Sequence, residues 1–145
     1  MARESSRTVT PLSESDGDRL RAQREVVEKY IADDDGRKKY AGPAGKLGLI
    51  RAILRGHVFE PDEKYQLQCL GIVFGDALVQ DLGMEWVMVE DEFGRDPAVR
   101  LPGTSIILHT LTMISKRVER GEYVDAFDLF NWACAKVDEL RRSGR

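Results

Sequence analysis

The chain has 145 residues, enough for one domain with one core. It is 42% hydrophobic and 32% charged, with a formal net charge of −3 and a pI near 5.5. That balance is ordinary for a globular protein and argues against a dedicated nucleic-acid binder, which needs a basic stripe to displace counterions. No apolar run exceeds five residues, far short of a membrane span.

The first twelve residues are polar and read as a flexible tail, followed by a single α+β domain over residues 13–145. Ser13 or Ser15 is placed to cap a helix to about Ala32, with Leu20, Val27, Tyr30 and Ile31 as its apolar stripe. The run from Asp33 to Lys39, three acids, a glycine and three bases, reads as a solvated loop. It is no calcium loop, because an EF-hand frame starting at Asp33 lacks the required Gly and Glu. A second helix is predicted from Ala44 to His57, with Pro43 in its first turn. Gly42 to Lys46 has neither the spacing nor the preceding strand of a phosphate loop.

A third helix begins near Phe59–Glu63 and runs to Leu82. It is apolar nearly all round, which marks the central, buried helix. Gly71 and Gly75 lie four apart in it and lower its helix propensity, which points to a close backbone approach. Gly83 ends it. Met84 to Val89 is the clearest strand, apolar on both faces. Asp91 to Asp96 makes a hairpin connection around Gly94, and Ala98 to Leu101 returns. After a turn at Pro102-Gly103, Ser105 to Leu108 gives a third strand. Two helices close the chain, one to Arg120 and one from Val124 to about Arg142.

The charge is unevenly placed. Met84 to Arg100 carries five acids and two bases, a net −3 equal to that of the whole chain. Glu90, Asp91, Glu92, Phe93 and Asp96 are therefore the candidate partner-binding residues, an aromatic at a turn tip ringed by carboxylates. Lys116 and Arg117 are the candidate anion site, or else structural partners of those acids. No catalytic set and no cofactor or metal motif is found: Cys69 and Cys134 lie apart, His57 and His109 lack ligand spacing, and no serine sits in a nucleophile elbow. Two isolated cysteines and a polar N-terminus lead to the expectation of a cytoplasmic protein.

Two strings, LGIVFGDALVQDLGMEWVMVEDEFGRDPAVRLPGTSII and LTMISKR, carry a resemblance. They resemble a bacterial family known only as domain of unknown function 3806, over roughly Leu70 to Gly121. The shared pattern is a helix with spaced glycines, a Trp-Val strand, an acidic turn and a helix closing on Lys-Arg. His109 departs from it, standing where the family favours proline. The resemblance brings no activity; small acidic families of this kind recur among immunity proteins paired with bacterial toxins.

The expected fold is α+β, about five helices on a small three-stranded antiparallel sheet. The expected function is non-enzymatic: an immunity protein that binds and inhibits a cognate secreted toxin domain, whose basic surface meets the acidic hairpin. The alternative is a small enzyme or anion-binding domain with a pocket near Lys116 and Arg117. A third reading is self-association through the apolar last helix.

Overall fold

The structure, a computed structural model, describes residues 7–144. The class is α+β, as expected, but the described residues form six helices and a four-stranded antiparallel sheet. Both extra elements come from segments without a strong sequence pattern.

The first is a strand, β1 (Thr8–Pro11), within the stretch read as a tail. It pairs antiparallel with β2 (Glu85–Asp91), placing Val9 opposite Val89. Four residues are too few to show alternation. Their order comes from a ladder partner some eighty positions away, which no local window reveals. The second is α2 (Asp34–Tyr40), in the run expected to be a loop. Asp33 caps it by accepting from the Gly36 N–H at 2.7 Å. Acids fill its first turn and bases its last, the arrangement that a helix dipole favours.

The other helices follow their signals. Helix α1 (Glu14–Glu28) opens on a capping box. The Ser13 hydroxyl accepts from the Asp16 N–H at 3.0 Å, and the Asp16 carboxylate accepts from the Ser13 N–H at 2.9 Å. It ends four residues before the expected Ala32. Pro43 opens α3 (Pro43–Arg55). Helix α4 (Lys64–Leu82) is the central one, with ten buried residues, and stops at Gly83 in the left-handed conformation. It packs against α1, α3, α5 (Met113–Glu119), α6 (Ala126–Arg142) and the 3-10 turn Thr110–Thr112.

Sheet order is β1-β2-β3-β4, with β3 spanning Gly94–Arg100 and β4 Ile107–Leu108. Alternation along β2 assigns its faces. Trp86 meets Leu20, Ile72 and Leu111 from the helical layer, while Val87 and Val89 bury against Ala98, Val9 and Ile107. Both faces of β2 are thus covered, as its apolar sequence predicts.

The spaced glycines mark the tightest contact with the 3-10 turn. A Cβ at Gly71 would lie inside 3.0 Å of the Thr110 and Leu111 carbonyl groups, and one at Gly75 would strike the Trp86 ring and the Thr110 hydroxyl. Gly45 is a third such position, where a Cβ would overlap the Lys39 backbone.

Asp16 has a second role. Arg95 on β3 grips it with both terminal nitrogens at 2.7 Å, tying the start of α1 to the hairpin. That guanidinium, then the Ser13 N–H, holds the Asp16 carboxyl far below its ordinary 3.8. Asp125, the cap of α6, is lowered in the same sense, first by Arg51 and then by the Asp128 N–H. An acid depressed by folding contributes stability that is complete above its unfolded value and is lost as pH falls through its folded value. In urea unfolding, the share contributed by these two acids should therefore be flat above about pH 5 and decline on further acidification, while His109, lowered by its burial, adds a separate loss as pH falls through about 6.5. Asp16→Asn should be less stable at neutral pH and converge on the parent in acid. A gap that stays constant with pH would show that the charge of Asp16 is not what stabilises it.

Candidate functional site

Asp91 and Gly94 pair across the end of the β2–β3 ladder, leaving Glu92 and Phe93 as a two-residue turn. The Asp91 side chain holds the turn by accepting from the Phe93 N–H at 2.8 Å. The hairpin is therefore longer and tighter than expected, with Arg95 and Asp96 already in the strand. Phe93 stands at the tip and is 87% exposed.

The electrostatics of the tip follow from where Arg95 goes. It is the one base between Glu90 and Asp96, and it points back onto Asp16. Among the described residues, Glu90, Glu92 and Asp96 form no ion pair. The tip thus presents an exposed phenyl ring beside three carboxylates without an ion pair among the described residues, on a backbone fixed by its ladder and its Asx turn.

The expected pairing of Lys116 and Arg117 with these acids is not formed among the described residues: Arg117 is turned elsewhere, and Lys116, like Asp91 and Asp96, lies in electrostatic range of His109 but makes no ion pair within 4.0 Å. Arg117 donates to the Met113 carbonyl at 2.8 Å and lies 5.8 Å from the centre of the Trp132 ring. Helix α5 is short, and its geometry turns Arg117 toward α6. There it lines a shallow hollow of about 270 Å³ with Tyr123, Asp128 and Trp132, away from the sheet. Lys116 is exposed.

Sequence reasoning missed a charged cluster between α1, α2, α3 and α4. Arg24 forks onto Asp76, with Nε 2.6 Å and Nη2 2.9 Å from its oxygens. The Trp86 indole N–H donates to the same carboxylate at 2.9 Å. Beside them the Tyr40 hydroxyl donates to Glu28 at 2.8 Å, and Lys46 Nζ donates to the Tyr40 carbonyl at 2.8 Å. Lys46 is only 8% exposed, and burial pulls its ammonium below the ordinary lysine value. Burial first, then the hydrogen bond it donates to Glu28, pushes the Tyr40 hydroxyl well above the phenol range. A signal for this cluster was present: Asp76 is the sole charged residue between Lys64 and Asp81 in an otherwise apolar helix.

Two further concavities are more apolar. One, of about 560 Å³, is lined by Tyr30, Ile31, Pro43, Ala44 and Leu49; the other, about 290 Å³, lies around Phe59 and Tyr123. No group of three or more potential metal ligands converges among the described residues. No described helix is long and apolar enough to cross a membrane.

Comparison with known proteins gives a family and a fold. No curated protein matches the chain. A crystal structure from Bacteroides thetaiotaomicron VPI-5482, at 1.50 Å resolution, superposes with a TM-score of 0.71 at 18% identity. The match covers 90% of this chain but 48% of that one, so this chain spans about half the length of its structural neighbour. At that identity the likeness concerns the fold alone. The model of the family described as Domain of unknown function (DUF3806) matches residues 46–130. That span starts at Lys46, takes in α4 and the hairpin, and ends in α6. With more than half of its length matched, and with the spaced glycines and acidic turn in place, the chain belongs to the DUF3806 family.

Proposed function

We propose that this is a non-enzymatic binding domain that docks the tip of its β2–β3 hairpin onto a basic surface of a partner protein. Its most specific form is an immunity protein that occludes a cognate bacterial toxin. The observation that carries the reading is the exposure of Phe93 among Glu90, Glu92 and Asp96, with Arg95 withdrawn onto Asp16. An aromatic anchor on a fixed turn loses little conformational entropy on burial. The carboxylates around it accelerate encounter with a cationic surface and repel acidic competitors. A cytoplasmic setting accords with two cysteines that are both free thiols.

The test is kinetic. A partner captured from native cells is titrated against the parent, a Glu92→Lys/Asp96→Lys variant and Phe93→Ala. Charge reversal is expected to slow association about tenfold or more at low salt, and the difference should shrink as salt rises. Phe93→Ala should act mainly on dissociation. Neither change touches the core, so melting temperatures should stay within a few degrees of the parent. Unaltered association and dissociation rates in both variants would remove the hairpin from the interface.

A further inference from the structure

The charged cluster surrounds a hollow of about 320 Å³, lined by Arg24, Glu28, Tyr40, Lys46, Asp76 and Gln80, with Val79 as an apolar wall. Most of its hydrogen bonds are internal, and counting them shows what is left over. Asp76 accepts three bonds, from Arg24 Nη2 and Trp86 Nε1 on one oxygen and from Arg24 Nε on the other, which leaves one acceptor site on Oδ2. Gln80 donates outward to the Ala41 carbonyl at 2.7 Å. Arg24 keeps its Nη1 group, which makes no bond among the described residues. Lys46 spends one of its three N–H bonds on the Tyr40 carbonyl. Glu28 accepts the Tyr40 hydroxyl on Oε2, and its Oε1 is free among the described residues.

Two cationic side chains with spare hydrogens therefore line the same space as Glu28, which has a whole oxygen unused, and Asp76, which has one acceptor site left. The four charges, from Arg24, Lys46, Asp76 and Glu28, sum to zero. A ligand of net charge would unbalance a half-buried site, whereas a zwitterion leaves it neutral. A carboxylate between Arg24 Nη1 and Lys46 would also pair the ammonium of a residue that is 8% exposed, which lies 4.7 Å from the Tyr40 ring centre and has no carboxylate within 4.0 Å among the described residues. An ammonium a few ångströms along the ligand suits Glu28. A short apolar side chain suits Val79. The volume is at the lower end for small-molecule sites.

We propose that the hollow between α1, α2, α3 and α4 binds a small α-amino acid as its zwitterion. Arg24 and Lys46 take the carboxylate, and Glu28 takes the ammonium. The site is separate from the hairpin tip, and its occupancy does not depend on the docking reading.

The indole N–H of Trp86, bonded to Asp76 at the edge of this cluster, is a built-in reporter. The chain has two tryptophans, so its proton–nitrogen resonance is assigned by comparison with Trp132→Phe. The parent is titrated with L-valine, with isovalerate, which lacks the amine, and with isobutylamine, which lacks the acid. A saturable shift of the Trp86 signal is expected with L-valine, at least tenfold weaker with either single-charge analogue. Lys46→Met keeps the alkyl stem, and Glu28→Gln keeps the shape; each should weaken L-valine binding tenfold or more. No saturable shift in the parent would overturn the proposal whatever the variants do. Equal binding of all three probes, or an undiminished response in folded Lys46→Met, would overturn it as well.

Discussion

Gly71→Ala is expected to destabilise the protein by about 2–4 kcal/mol, although alanine is the better helix former. The reason is the 3-10 turn. A methyl group at Gly71 would lie inside 3.0 Å of the Thr110 and Leu111 carbonyl groups, backbone atoms that have no rotamer through which to retreat. Either α4 moves off the turn or the turn moves off β4, and both open the buried contact of Leu20, Ile72 and Leu111. Gly48→Ala supplies the opposite sign. Gly48 lies within α3, and a Cβ there meets nothing within 4 Å. It should gain about 0.5–1 kcal/mol from the reduced freedom of the unfolded chain. Urea midpoints of the two variants, at an unchanged denaturant slope, should move in opposite directions. A Gly71→Ala midpoint equal to that of the parent would show that the helix and the turn have room to separate.

Asp76→Asn is expected to cost about 2–3 kcal/mol, the range for removing one charge from a largely buried ion pair with some solvent access. The Asp76 side chain is 12% exposed and that of Arg24 28%, so water softens the loss without abolishing it. The amide also sets an N–H against the donors of Arg24 or Trp86. Much of the penalty belongs to the guanidinium left behind. Introducing Arg24→Met first should therefore reduce the cost of Asp76→Asn by about 1 kcal/mol or more, a coupling that a double-mutant cycle reads directly. Additive effects would mean that the fork seen between the two side chains contributes no net stability.

These two sites were unequally legible in the sequence. Gly71 and Gly75 announced a close approach because glycine is out of place in a long helix, and the structure supplies the partner. Helix α4 and strand β2 were equally plain, since burial on all sides leaves an unbroken apolar pattern. The Arg24–Asp76–Trp86 cluster was not read, because its first two members are 52 positions apart and arginines are common on exposed helix faces. The isolation of Asp76 was the usable clue. Strand β1 and helix α2 were missed for different reasons. The first is ordered by a distant partner. The second is a charge run that looks like a loop until its order of signs is set against a helix dipole. The hairpin acids were located from charge alone, but the withdrawal of Arg95 onto Asp16, away from them, is visible only in three dimensions.

Strand β2 is an interior strand only because Thr8–Pro11 lies along one side of it. A chain trimmed to the family-matched residues 46–130 would lose that cover, and Trp86 would lose the Leu20 contact with it. Its Val87-Met88-Val89 run would become a bare sheet margin, with free N–H and C=O groups ready to template a neighbour. Such a fragment should self-assemble edge to edge more readily than the full chain. The short N-terminal strand thus covers the sheet margin that β2 would otherwise expose.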